Sequence, residues 1–161
     1  MPKLIKGDRI IDNDWQFIPA DFSDELPQGK LLVPLARWLE SRDAPGEGRE
    51  LAPWIDSDDD VEAVAEEILG APLIAVNFPM FTDGRGFSTA RLLRERYRYR
   101  GELRAVGYVI QDQLFYLKRC GFDAFDLREG TNLEAALGSL QTFTVTYQAA
   151  TDNPQPLFRN R

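Results

Sequence analysis

The chain has 161 residues, the length of one ordinary domain, with 43% apolar and 28% charged residues and a net charge of −7, the balance of a globular protein and not a disordered one. It has no histidine and a single cysteine, Cys120. These counts exclude a Ser-His-Asp triad, a Cys-His dyad, His-ligated zinc or haem, an internal disulfide and a Cys-ligated cluster within one chain.

From the N-terminus, Lys3 to Ile5 and Arg9 to Ile11 predict a small hairpin, since Gly7-Asp8 between them is turn chemistry. Trp15 to Ile18 predicts a further short extended piece, and Asp21 to Gly29, with Pro27, a polar connection. Lys30 to Val33 reads as a buried strand stopped by Pro34. Leu35 to Arg42 follows as a helix with Leu35, Trp38 and Leu39 on one side. Arg49 to Ile55 is the next strand. Asp56 to Asp60 then opens a helix over Val61 to Leu69, where acids suit the positive end of the helix dipole.

Leu73 to Phe78 is a continuous apolar run, as expected of a strand covered on both faces. Ser88 to Tyr99 predicts a helix, Leu103 to Tyr108 a strand, and Ile110 to Cys120 a helix. Gly121-Phe122 supplies the left-handed cap and apolar contact of a Schellman motif. Ala124 to Leu127 reads as a strand, Asn132 to Leu140 as a helix and Phe143 to Tyr147 as a last strand. Strands alternating with helices of about ten residues mean βαβ crossovers and a mainly parallel sheet. The expected architecture is therefore a single α/β domain over residues 1–150, with a mobile tail over 151–161. An open three-layer sandwich with helices on both faces is favoured, and a partial or distorted barrel is the alternative.

Ligands of a parallel sheet sit beyond the carboxyl ends of its strands. Residues 82–89 are the first candidate. Gly84 and Gly86 relax the backbone there. Free amides of a helix starting near Ser88, with Arg85, Ser88 and Thr89, would hold an anion such as phosphate, sulfate or a carboxylate. The plainer alternative makes Ser88 an N-cap and the glycines a turn. Arg37 and Gln113 stand at the same rim as further ligand-binding candidates. Asp83 and Asp112 are the acids placed to orient a ligand or move a proton, each with a plainer role as a turn or cap residue. No metal site is expected, and the cofactor stays open. The loop is no P-loop, and its dinucleotide-like start carries Thr89 where a third glycine belongs.

Charge is uneven along the chain. Residues 1–79 carry 7 basic and 17 acidic side chains, whereas residues 80–119 carry 9 basic and 4 acidic. The acidic whole argues against nucleic acid. Arg91, Arg94 and Arg98 share a helix face at spacings of three and four, with Arg96, Arg100 and Arg104 nearby. They form either a solvated face or a partner-binding patch. Cys120, at a helix C-terminus, reads as a buried structural thiol. With no leader segment and no long apolar run, the expected location is cytoplasmic and off the membrane.

Several motifs together resemble a bacterial family of small proteins often encoded beside sulfite reductase and labelled as oxidoreductases of sulfite reduction. They are Val33-Pro34-Leu35-Ala36-Arg37-Trp38-Leu39, the run from Phe78-Pro79 to Ser88, and Arg91-Leu92-Leu93-Arg94. Leu103-Arg104-Ala105-Val106-Gly107, Asp112-Gln113-Leu114 and Arg119-Cys120-Gly121-Phe122-Asp123 complete the set. Tyr108 departs from the pattern, in which an acid is expected. The resemblance implies an oxidoreductase component of assimilatory sulfite reduction. The residues themselves supply no redox cysteine pair, cluster ligands or flavin or nicotinamide motif, and so leave open an accessory protein docking on sulfite reductase or its electron donor.

Overall fold

The computed structural model describes residues 2–80 and 84–146, with side chains through Gln141. Among the described residues, eight strands form one sheet: β1 (Lys3–Lys6), β2 (Arg9–Asp12), β3 (Trp15–Phe17), β4 (Gly29–Pro34), β5 (Arg49–Ile55), β6 (Leu73–Phe78), β7 (Glu102–Gly107) and β8 (Ala124–Phe125). Five α-helices among the same residues accompany them: α1 (Leu35–Ser41), α2 (Val61–Ile68), α3 (Arg85–Arg91), α4 (Leu114–Cys120) and α5 (Leu133–Thr146). A π-turn over Leu92–Arg96 extends α3, and a 3₁₀ turn over Gln111–Gln113 leads into α4. No helix among the described residues is long and apolar enough to cross a membrane.

The sheet runs β2-β1-β8-β7-β6-β5-β4-β3. Pairings from β3 through β8 are parallel, and the hairpin adds β1 and β2 antiparallel. The strand order never reverses along the parallel part. Crossovers of one hand then deliver every helix to the same face, and this corrects the favoured three-layer sandwich. The core confirms the asymmetry. One large cluster joins helix residues such as Trp38, Ile68, Leu93, Leu117 and Ala136 to one face of the strands. A second, made by Leu32, Ala52, Trp54, Leu73, Ala75 and Val106, contains strand residues alone. The sheet curls around that second cluster into a half-barrel.

The curl has a covalent cause. β2 and β3 are the two edges of the sheet, yet only Asn13 and Asp14 separate them in sequence. Three virtual bonds hold Asp12 and Trp15 within about 11 Å, so the edges must meet at that end. Asn13 fastens the junction, accepting from the Trp15 backbone N–H at 3.2 Å and from Arg104 at 3.1 Å and donating to Asp126 at 3.3 Å. Arg104, only 3% exposed, also pairs with Glu102 at 2.7 Å, and Lys6 holds the other oxygen of Glu102 at 2.9 Å. A charge buried inside the curl is tolerable because it is paired on every side.

The expected hairpin and the Schellman cap are both present. Gly121 takes φ 117°, with Gly121 N–H donating to the Lys118 carbonyl and Phe122 N–H to the Leu117 carbonyl. Several boundaries differ from expectation: β8 ends at Phe125 rather than Leu127, and the α-helix expected from Ile110 starts at Leu114. α3 starts at Arg85 rather than Ser88, and residues 143–146 continue α5 in place of a strand. Tyr147 and the tail over 151–161 lie outside the described residues.

Candidate functional site

The register places the carboxyl ends of β5 to β8 around the concave side. Trp54, Ala75, Arg104 and Ala124 pair across the sheet as one row. Two residues further on come Asp56, Asn77, Val106 and Asp126, the next inward row. Asn77 pairs with Val106, its amide donates to Asp56 at 3.3 Å, and the Asp126 N–H reaches the Ala105 carbonyl at 2.9 Å. The rim above is Tyr108 and Arg128. Their backbones are tied by Tyr108 N–H to the Phe78 carbonyl at 2.7 Å and Arg128 N–H to the Val109 carbonyl at 3.0 Å. On the far side Phe17, 40% exposed, stacks on buried Trp54 with centroids 4.8 Å apart. The mouth of the half-barrel is thus aromatic at two places and polar between them.

Its electrostatics are mixed. Burial pushes the Asp126 carboxyl above its ordinary value, against the pull of Arg104. Burial also raises Asp59, a shift that the Asp56 amide opposes and the charges of Asp56 and Asp58 reinforce. The guanidinium carbon of Arg128 lies over the Tyr108 ring, 4.0 Å from its centroid. The resemblance expects an acid at position 108, and here an aromatic platform stands in its place. Among the described residues no group of three or more acids and thiols could hold a metal ion.

The residues singled out from sequence are scattered by comparison. Asp83 and Thr82 lie outside the described residues. Gly84 is the residue before α3, exposed and without a special φ. Arg85 is exposed at the first turn and donates to the Ser57 hydroxyl at 3.1 Å, bridging the loops after β5 and β6. Gly86 serves packing, since a Cβ there would stand 2.5 Å from the Phe78 ring. Ser88 is exposed within α3 and is no cap, and Thr89 bonds back to the Arg85 carbonyl at 3.2 Å. Arg37 donates to the Phe22 carbonyl at 3.2 Å and ties the loop after β3 to α1. Asp112 and Gln113 close the 3₁₀ turn. Asp112 lines a cavity of about 210 Å³ with Phe115, Ser139 and Leu140, against α5 rather than the concave mouth.

The three arginines do not share one free face. Arg91 is 3.9 Å from Glu95 and faces the Cys120 thiol. That thiol is raised by burial, with Arg91 and Tyr116 opposing. Arg94 is half-buried and donates at 2.8 Å to the carbonyls of Gly121, Tyr99 and Gly101. It is a structural pin between α3, the turn before β7 and the cap of α4. Arg98 is exposed beyond the π-turn with φ 56°. Arg104, counted from sequence with the surface charge, is inside the curl.

Asn77, Tyr108, Asp126 and Arg128 were missed as a group. One signal was available. Asn77 is the single polar residue in an otherwise apolar strand, and a polar side chain placed there must face something other than the core.

Residues 52–158 match the family of bacterial proteins of unknown function termed DUF934, and the chain belongs to that family. No curated protein sequence and no solved structure matches the chain.

Proposed function

We propose that this member of the family is a non-catalytic accessory protein of assimilatory sulfite reduction, docking on sulfite reductase or its electron donor. The link to sulfite reduction is supported by the motif resemblance. The docking mode is supported by one observation, the exposed basic turn formed by Arg96, Arg98 and Arg100 on an otherwise acidic chain. Arg98 holds a left-handed φ of 56° that glycine would adopt more cheaply. A basic turn of this kind steers an acidic partner and fixes its orientation.

The test is co-purification with sulfite reductase and its electron donor at low and high salt. A complex is expected at low salt and should weaken as salt rises. Reversing Arg98 and Arg100 to Glu should weaken it by about tenfold or more. Absence of any complex at low salt, with sulfite reductase activity unchanged by the protein, would overturn the proposal.

A second reading is a catalytic oxidoreductase component with an anion held at residues 82–89. It is favoured by Arg85, exposed at the carboxyl ends of β5 and β6. A purified protein that carries no cofactor and binds neither nicotinamide nor flavin nucleotides would remove it.

A further inference from the structure

We propose that the concave mouth is a binding site for a small carboxylate that also carries a hydrogen-bond-donating group, an amino or hydroxy acid, with Arg128 holding the carboxylate. The proposal rests on Arg128 and its setting and is independent of the basic turn. Seven of the thirteen described arginines, Arg37, Arg42, Arg49, Arg91, Arg94, Arg96 and Arg104, spend their guanidinium on carbonyls or acids. Arg128 does not, because its guanidinium makes no hydrogen bond or ion pair among the described residues. It is nonetheless held in place. The Tyr108 ring backs its guanidinium carbon from one side, 4.0 Å from the centroid, and a cation–π contact of this kind leaves N–H donors available for a ligand. The backbone is fixed as well. Its N–H is bonded to Val109, and its carbonyl accepts from the Thr131 N–H at 3.1 Å and the Thr131 hydroxyl at 2.7 Å.

The platform beneath is equally committed. Gly107, with φ 89°, turns the chain into Tyr108, and a Cβ at that position would collide with Asn77 Oδ1 and the Phe78 carbonyl. A guanidinium backed by an aromatic ring and with unspent donors can grip a planar carboxylate by two parallel bonds.

The row below Arg128 supplies the second half. Among the described residues, Asp126 Oδ1 accepts no hydrogen bond, while its Oδ2 is engaged by Asn13. Asp126 and Arg128 stand two residues apart just past β8, at most about 7 Å between Cα atoms, a span suited to a ligand of a few heavy atoms. A cation at one end and an acceptor at the other match a molecule with a carboxylate at one end and an amine or hydroxyl at the other. A bare oxyanion would satisfy Arg128 alone and face Asp126 unfavourably.

The experiment is calorimetric titration of the full chain with lactate, glycine, acetate and inorganic sulfate at matched ionic strength. Lactate or glycine should bind, and acetate and sulfate should bind at least about tenfold more weakly, having no donor for Asp126. Arg128→Gln should weaken the bound ligand by about tenfold or more, with unchanged thermal unfolding because the side chain is exposed. Tyr108→Ala, which removes the platform and keeps the charge, should weaken it less. Failure of both lactate and glycine to bind would overturn the proposal, as would binding that survives Arg128→Gln. Sulfate binding as tightly as the donor-bearing acids would overturn the assignment of Asp126.

Discussion

Asp126 shows what a buried charge does to this molecule at the scale of one residue. Burial raises its carboxyl above the ordinary range, so the folded state binds the proton more tightly than the unfolded chain. Its favourable contribution is complete when both states are protonated, and it is lost as pH rises through the raised value. Asp126→Asn removes that loss. The variant should unfold at a higher temperature than the parent at neutral pH, and the difference should shrink as pH falls towards about 4. Calorimetric scans across that pH range give the comparison, and a parent that is more stable at neutral pH would show that the pull of Arg104 outweighs burial. A carboxylate kept at a net cost is common where residues serve binding. Sequence could not single out Asp126, because its burial comes from Asn13 and Arg104, far from it in the chain. Cys120 was legible, since a helix C-terminal thiol followed by Gly-Phe has few other readings.

Among the elements, the segment from α3 to β7 depends on Arg94. The π-turn and left-handed Arg98 leave the Tyr99 and Gly101 carbonyls pointing at one place, and the Schellman cap of α4 adds that of Gly121. One guanidinium satisfies all three. Arg94→Ala is therefore expected to destabilise the fold by roughly 3 kcal/mol, since buried acceptors lose a charged donor and no water replaces it fully. Urea unfolding reads this directly, and a loss below about 1 kcal/mol would mean that the carbonyls find other partners. The periodicity of Arg91, Arg94 and Arg98 looked like an exposed face because it assumed an unbroken α-helix. The π-turn shifts the phase by a residue, and nothing in local propensity announces such a turn. The start of α3 was misplaced for a related reason. Ser88 is a favoured cap, but the close approach of Gly86 to Phe78 fixes the helix three residues earlier.

For the whole molecule, the alternation of strands and helices gave the parallel sheet, and the choice between sandwich and half-barrel hung on strand order. Strand order is set by which neighbours bury each other best, information spread over distant residues. The short link between β2 and β3 is the one local clue to curling. It also carries a prediction. Asn13 is donor to Asp126 and acceptor from Arg104 and Trp15 at once, a combination that a carboxylate cannot provide. Asn13→Asp should lower stability by about 2 kcal/mol or more at neutral pH, with two acids then facing each other beside Arg104. Denaturant titration checks it, and an unchanged midpoint would show that Arg104 absorbs the added charge.

The pairing of β1 with β8 has a consequence for how the chain comes off the ribosome. From β3 to β8 each strand meets the one made just before it, so assembly can proceed step by step as the chain emerges. Ile5, by contrast, waits for Phe125, 120 residues further along the chain. Closing so long a loop is slow. Until β8 is made, the apolar side of the N-terminal hairpin has no home, and a nascent chain stalled before Phe125 should be the form most in need of a chaperone.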